Sequence, residues 1–342
     1  MTSPRTLATA LAPAALLVAS AVAAQDAETT TLRIQTHQSP ESPSGQLARA
    51  WAEDVDRMSG GAIELEMFYS ASVVKSAETF DAAASGILDC DMTNGSYQTG
   101  KNPAFQFVAD VMGGYDTPLE FQSWVYYGGG ADIIDALYRE FGMKFVGTWV
   151  GGQESLVSTK PLAGVADLDQ FKFRSPPGME SEIFESLGAK PVVMDFTEIF
   201  TALETKIIDG ADASNLANNI GLGLYDIAPH TTFPGFHSMS SDHLACNLEV
   251  WEKMPDAHKA ILEVSMQKLG MQTMMRVLVD NGEAKAALPE QGVTLYAWSE
   301  EDRNTFREAA TSTWDEWAKK TPEAKEIVDS HKAFIERIGV GR

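Results

Sequence analysis

One arginine, Arg174, lies near the end of a short β-like segment, with only Ser175 between it and a Pro-Pro-Gly turn. A helix cannot continue through Pro176-Pro177, so the segment Phe171 to Ser175 must end there on a rigid turn. A guanidinium offers two parallel N–H groups that match the two oxygens of a carboxylate or a sulfonate. We therefore predict that Arg174 binds an anionic group. The alternative for an arginine in an acidic protein is a surface ion pair.

A second polar segment begins at Asp212 and Ala213 and continues through Ser214, Asn215 and Asn218. An ordinary helix would carry leucine or alanine at several of these positions. Asparagine side chains supply donors and acceptors in fixed geometry, as a ligand with hydroxyl or amide groups requires. An N-cap followed by a turn explains the same residues equally well, so both interpretations stay open.

The charge balance excludes some classes of partner. The chain of 342 residues has 26 Lys+Arg against 48 Asp+Glu, a net charge of -22, which repels nucleic-acid phosphates and anionic lipid headgroups. The sequence contains no G-x-S-x-G, G-x-G-x-x-G, H-E-x-x-H or Walker pattern. We therefore expect neither a nucleic-acid-binding protein nor an enzyme.

Residues 1–24 have the pattern of a secretory signal peptide: Arg5, an apolar run from Leu7 to Val22, and small residues before Gln25. A membrane anchor is the alternative, but the run is barely long enough and is rich in alanine. We predict export to the periplasm of a Gram-negative cell.

The rest of the chain alternates β-like and helical segments, which is typical of an α/β fold. Strands are expected at Leu32–Thr36, Ile63–Tyr69 and Ile87–Met92, and a second block of the same kind begins near Lys144. Two such blocks predict two lobes with a ligand cleft between them. We place the first lobe at 30–150 plus about 240–280. The second lobe takes 151–239 plus about 281–342, with the C-terminal helices. Two long helical segments, which begin near Ala257 and Glu300, are expected to brace the lobes.

The two cysteines, Cys90 and Cys246, lie in apolar β-like segments. We expect buried free thiols, since cysteine packs as a small apolar side chain. An exported protein could also bridge them if their strands are neighbours.

The chain resembles the extracytoplasmic substrate-binding subunits of TRAP transporters, the DctP-like family, over nearly all of the mature chain. The resemblance rests on three segments: FYSASVVKSAETFDAAASGILDCDM, DLDQFKFRSPPGMESEIFESLGAKPVVMDFTEIFTALETKIIDGAD and NLEVWEKMP. Within the family the chain is most similar to the members that bind 2-oxo acids. That similarity comes from the Gln153 loop, the stretch GGGADIIDALYREFG and the segment Pro234–His237.

The resemblance implies a two-lobed periplasmic-binding-protein fold and a non-enzymatic role. Such a protein captures a small organic acid anion, with 2-oxo acids among the candidates, and delivers it to TRAP permease subunits driven by an ion gradient. It closes its lobes over the ligand. Alternatives are a sensor of the same fold that presents its closed form to a receptor kinase, or a sulfonate binder. Some related proteins form homodimers through their C-terminal helices, which here lie within 300–342.

The resemblance also implies roles for single residues. Arg174 lies in the family pattern K-x-R-x-P and is expected to bind the ligand carboxylate. In the 2-oxo acid binders a glutamine, a glutamate and a tryptophan carbonyl hold a metal ion against the ligand. Gln153 matches the glutamine, whereas Asp212 and Ala213 replace the Glu-Trp pair. These three residues are the expected ligands of a sodium or calcium ion, and no other cofactor is required. An ammonium or a hydroxyl group of the ligand could pair with Asp212 instead.

The resemblance implies that three further residues line the cleft. His37 follows the first strand, His237 follows Pro-Gly-Phe, and Tyr97 lies beyond the third strand. Each has an ordinary alternative, namely a solvated or packed histidine and a tyrosine packed at the rim.

Overall fold

The computed structural model describes residues 29–339, so the predicted signal peptide at 1–24 lies outside the described residues. The strands of the described part are β1 (Thr30–Thr36), β2 (Ile63–Phe68), β3 (Cys90–Met92), β4 (Met143–Val150), β5 (Ser155–Ser158), β6 (Lys172–Ser175), β7 (Lys190–Val193), β8 (Gly210–Ser214), β9 (His230–Thr232), β10 (Ser241–Asn247) and β11 (Thr294–Tyr296). The helices are α1 (Pro43–Ser59), α2 (Thr79–Ala84), α3 (Phe105–Ala109), α4 (Pro118–Tyr127), α5 (Gly130–Arg139), α6 (Met179–Ser186), α7 (Ile199–Glu204), α8 (Leu216–Gly221), α9 (Leu248–Lys253), α10 (Asp256–Ala287), α11 (Glu300–Trp317) and α12 (Pro322–Ile338).

Two separate sheets confirm the predicted two-lobed α/β architecture. The sheet of the first lobe has the order β2-β1-β3-β10-β4, and that of the second has the order β11-β9-β5-β8-β6-β7. In the first sheet β1 pairs in parallel with β2 and with β3, as the predicted βαβαβ order requires. The late strand β10 lies antiparallel between β3 and β4, which the sequence analysis did not predict.

Helix α1 shows how the sequence places these elements. It begins at the N-cap Ser42, whose side chain accepts from the backbone N–H of Gly45, and Pro43 occupies its first turn. Its buried face includes Ala48, Trp51 and Val55, which recur at helical spacing. The helix therefore packs with one apolar face against the core of the first lobe.

The expectation of free thiols is wrong, because Cys90 and Cys246 form a disulfide. The two residues lie directly opposite each other on the antiparallel strands β3 and β10. A cysteine pair 156 positions apart in sequence gives no sign of this adjacency, which arises only when β10 returns to the first sheet. The bridge is fully buried and ties the returning strand to the first block of the chain.

The long C-terminal helices brace both lobes, as predicted. Helix α10 packs on β4 and α1 in the first lobe and on α8 in the second. Helix α11 packs on α6, whereas α12 lies against α3 and α5. The end of the described chain thus reaches back to the first lobe, where His331 Nε2 lies 2.9 Å from the carbonyl of Phe107. Within residues 29–339 we find no helix with the length and apolar character needed to cross a membrane.

Candidate ligand-binding site

Arg174 lies on β6, between β7 and β8, and only 3% of its surface is exposed. Its Nε donates to the carbonyl of Met194 at 3.2 Å, and one terminal nitrogen donates to the carbonyl of Asp212 at 2.8 Å. These two bonds use two of its five N–H groups. No carboxylate among residues 29–339 forms an ion pair with it. A buried guanidinium that is held by carbonyls and has no direct ion pair among the described residues can bind an anion.

The guanidinium borders a cavity between the lobes. His37 and Tyr97 line it from the first lobe, and Arg174, Phe196 and Ala213 line it from the second. Its volume is about 60 Å³. A water needs about 10–15 Å³ by this measure, so the cavity holds about four to six waters or a ligand of similar size. The geometry therefore favours a small acid.

Hydrogen bonds between described residues join the lobes around this cavity. The Asp195 carboxylate accepts from the backbone N–H of Ser76 at 3.0 Å and from its hydroxyl at 2.9 Å. The backbone N–H of Met179 donates to Gln106 Oε1 at 2.7 Å. The lobes are thus in direct contact, as a closed binding protein requires.

An acidic cluster made of Asp110, Glu154, Glu180 and Asp212 lies beside Arg174 and lines the same cavity. All four side chains are buried. Ser238 Oγ lies 2.5 Å from Asp110 Oδ2 and 2.9 Å from Glu154 Oε2. Because a hydroxyl carries one proton, it donates to one of these carboxyls, and the other must be protonated and donate to it.

The environment gives these carboxyls different proton affinities. Burial raises the pKa of Asp110 to about 7. Burial, followed by the charge of Asp212, raises the pKa values of Glu154 and Glu180 well above the usual range. Burial would also raise the pKa of Asp212, but the hydrogen bond and the charge of His237 lower it. Asp212 is therefore the ionised member of the cluster, with neutral acids around it.

Glu154, Asp212 and His237 each offer one atom that could ligate a metal ion, and these three atoms all lie within 4.8 Å of one another. His237 Nε2 is 2.9 Å from Asp212 Oδ1, and both side chains are buried. Glu154 and Asp212 offer carboxyl oxygens, the hard ligands that suit sodium or calcium, and a bound cation would displace the proton of Glu154. The residues present therefore fit a hard cation at this end of the cavity.

Several buried polar atoms on lining residues have no hydrogen-bond partner among the described residues. They are His37 Nδ1, Gln38 Oε1, Trp149 Nε1 and Glu180 Oε1. Such groups are rarely left unpaired in folded proteins, because burying them without a partner costs about 1–3 kcal/mol each. The residues that carry these atoms line the Arg174 cavity, so the unpaired groups gather at the candidate site.

Comparison with known proteins agrees with this geometry. Residues 34–321 match the family model described as DctP, bacterial extracellular solute-binding protein, family 7. The chain belongs to this family. A monocarboxylate 2-oxoacid-binding periplasmic protein from Nostoc sp. is 26% identical over 293 residues, which cover 85% of this chain and 80% of that protein.

Solved structures show the same fold. A TRAP periplasmic solute binding protein from Rhodobacter sphaeroides, in an apo open form, is 30% identical, has a TM-score of 0.71, and covers 90% of this chain and 98% of its own. One from Pseudoalteromonas atlantica, with bound sodium and pyruvate, is 25% identical, has a TM-score of 0.81, and covers 91% and 95%. The ligand-bound relative thus superposes better despite its lower identity.

This family 7 protein brings most of the predicted site residues together. Arg174, Asp212, Ala213, His37 and Tyr97 line the cavity. His237 lies behind Asp212 and orients its carboxylate.

The structure places three predicted residues outside the cavity. The Gln153 amide donates to the carbonyl of Asp116 at 3.0 Å, while Glu154, the next residue, turns inward. Asn215 is the N-cap of α8 and donates to the carbonyl of Gly151. Asn218 accepts from the backbone N–H of Ser44. The N-cap interpretation therefore describes Asn215 correctly, and both asparagines are bonded to protein groups.

Sequence reasoning missed three acids of the cluster: Asp110, Glu154 and Glu180. Glu180 follows Arg174 by six residues and lies on α6, which the Pro-Pro-Gly turn directs back toward the cavity. That spacing was a usable signal. Asp110 and Glu154 carried none, because nothing local distinguishes a buried carboxyl from a solvated one.

Proposed function

We propose that this protein captures a small organic acid, with 2-oxo acids as the favoured class, and delivers it to a TRAP permease in the periplasm. Arg174 carries the proposal, because it is a buried guanidinium on the wall of a small interlobe cavity, without an ion pair among the described residues. Its free N–H groups would bind the two carboxylate oxygens of the ligand. The likeness to the Nostoc and Pseudoalteromonas proteins supports the 2-oxo acid class.

A hard cation completes the proposed site. Glu154 and Asp212 would hold sodium or calcium, which would supply positive charge next to the carboxylate and keto oxygens of the ligand. Glu154 takes the place predicted for Gln153, since the Gln153 amide is bonded to Asp116 outside the cavity. Ala213 remains a proposed neighbour of the cation because it lines the cavity beside Asp212.

Closure of the two lobes is the proposed signal to the permease. The interlobe bonds at Asp195 and Gln106 and the higher TM-score with the ligand-bound relative support assignment of this structure to the closed form. A ligand shifts the lobes toward closure only by its higher affinity for the closed form. The relatives named above are solute-binding proteins, and this role requires no chemical step. Dimerisation through the C-terminal helices stays a prediction.

The test is titration calorimetry of the mature protein with pyruvate, 2-oxobutanoate, succinate and an alkyl sulfonate, in buffer with sodium and calcium. We expect binding of a 2-oxo acid to the wild type and its loss in Arg174→Ala. Lys172→Ala is the matched control, because Lys172 lies on the same strand with its side chain exposed. Unchanged affinity in Arg174→Ala would overturn the proposed role of the guanidinium. If only the sulfonate binds, sulfonates replace 2-oxo acids as the ligand class.

A further inference from the structure

A second cavity lies directly beside the Arg174 cavity. Its volume is about 190 Å³, and it is bordered by Phe196, Ile199, Phe200, Leu222 and Leu224 of the second lobe and by His37 of the first. Most of this wall is apolar. Phe200 in this wall is 40% exposed, so the cavity lies near the surface. It could therefore hold an apolar group several carbons long.

Two side chains border both cavities. Phe196 and His37 line the Arg174 cavity and the second cavity alike, and their ring centroids are 4.9 Å apart. Both are buried, with 8% and 5% of their surfaces exposed. The two rings thus form the partition between an anion site and an apolar space.

The partition is held in place from both lobes. Asp195, the residue before Phe196, is bonded to Ser76 of the first lobe, and its carboxylate also accepts from the backbone N–H of Thr197. The Phe196 ring centroid lies 5.9 Å from the Arg174 guanidinium carbon. An acid held by Arg174 therefore has Phe196 as an immediate neighbour.

We propose that Phe196 sets the length of the acid that this protein accepts, by closing the Arg174 cavity against the second cavity. This inference rests on the proposed function. With Phe196 present, a short acid fills the anion site, and a longer chain meets the ring. With a small residue there, the two cavities join, and the tail of a straight-chain acid enters the apolar space beside Ile199 and Leu224.

The experiment compares straight-chain 2-oxo acids: pyruvate, 2-oxobutanoate, 2-oxohexanoate and 2-oxooctanoate. Each is titrated into the wild type, Phe196→Ala and Phe200→Ala. Phe200→Ala is the matched control, because it makes the same change in the second cavity without touching the partition. Affinity is expressed relative to pyruvate, so that general weakening of the site cancels.

We expect the wild type to bind 2-oxooctanoate at least about tenfold more weakly than pyruvate. In Phe196→Ala the order should reverse, with about fourfold tighter binding for each methylene buried in the joined cavity. Phe200→Ala should keep the wild-type order. Phe196→Leu repeats the comparison with a smaller loss of volume if the alanine variant does not fold.

Different outcomes test the role of Phe196 and the proposed capture of a 2-oxo acid. Equal affinity of the wild type for pyruvate and 2-oxooctanoate would overturn the inference. So would an order of affinities in Phe196→Ala that matches the wild type, or a reversal of that order in Phe200→Ala. Wild-type protein that binds none of these acids overturns the proposed ligand class, and the inference with it.

Discussion

The Arg174 guanidinium donates to the backbone carbonyl of Asp212 at 2.8 Å, while the Asp212 carboxylate faces His237 at 2.9 Å. The two residues lie on the neighbouring parallel strands β6 and β8. The backbone of β8 thus orients the guanidinium on β6, and the Asp212 carboxylate stays bonded to His237. That carboxylate forms no direct ion pair with Arg174 among the described residues.

Replacement of Arg174 by lysine tests geometry apart from charge. Lysine keeps the positive charge but cannot donate to Met194, to Asp212 and to a ligand carboxylate in one fixed plane. We expect affinity for the acid to fall by about ten- to a hundredfold in Arg174→Lys, measured by calorimetry. Affinity equal to wild type would mean that charge alone holds the ligand.

Substitutions of the adjacent residues Gln153 and Glu154 should differ in how they change the cation dependence of acid binding. Removal of sodium and calcium should weaken acid binding by the wild type, and Glu154→Gln should reduce this dependence because a carboxylate ligand is lost. Gln153→Ala should behave as wild type, since Gln153 lies outside the cavity. Calorimetry in chelated and in cation-containing buffer measures both. Equal affinity in the two buffers for the wild type argues against a bound cation.

The contact between Asp195 and Ser76 should favour the closed form. Burial would raise the pKa of Asp195, but hydrogen bonds from Thr197 and Ser76 lower it, so the contact persists at neutral pH. Asp195→Ala should destabilise closure by about 1–2 kcal/mol, which is about five- to thirtyfold in affinity. Ser76→Ala, which keeps the backbone bond, should have a smaller effect. Small-angle scattering with saturating ligand measures closure, and identical curves and affinities for Asp195→Ala and wild type would contradict this role.

The buried disulfide should stabilise the first lobe without touching the ligand. The double variant Cys90→Ala/Cys246→Ala should lower the free energy of unfolding by about 2–5 kcal/mol, because the bridge closes a long loop of chain. Urea unfolding with and without reductant measures this loss, and reductant should have no further effect on the variant. The same unfolding midpoint for oxidised wild type and the double variant would rule out the stabilising role.

His331 predicts a loss of stability in acid. Burial lowers its pKa from 6.5 to about 3, while its Nδ1 lies 2.9 Å from the Tyr115 hydroxyl. Below about pH 6.5, His331 is therefore protonated in the unfolded chain but stays neutral in the folded chain. Stability falls as the pH drops from there toward 3, by up to about 1.4 kcal/mol per pH unit from this group.

The variant His331→Gln isolates that contribution. It should be less stable than wild type at pH 7, because the contacts to Tyr115 and Phe107 are weakened, yet its stability should fall less steeply between pH 6.5 and 5. Urea unfolding at several pH values gives both slopes. Parallel slopes would assign the acid sensitivity to other groups.

Local pattern was sufficient for much of the architecture. Local pattern predicted the long helices that begin near Ala257 and Glu300, and the Pro-Pro-Gly turn predicted the end of β6 at Ser175. Arg174 was singled out because an arginine near the end of a strand, just before a rigid turn, carries a local signal. Asp212, in the middle of β8, was singled out by the polar segment that it begins and by the resemblance to the family. Glu154 lines the cavity and Gln153 does not. A resemblance between loops does not fix which of two adjacent side chains turns inward.

The sequence by itself determined the two-lobed class and the resemblance to its family, and it singled out Arg174 as a candidate anion-binding residue, because these depend on periodicity, turn chemistry and residue type. Only the tertiary structure decided that Cys90 meets Cys246, that Asp110, Glu154 and Glu180 gather around Asp212, and that Phe196 divides two cavities. These features join segments far apart in the chain. Burial then changes the chemistry of side chains whose local sequence is ordinary, because a carboxyl removed from water keeps its proton unless a partner compensates for the lost solvation.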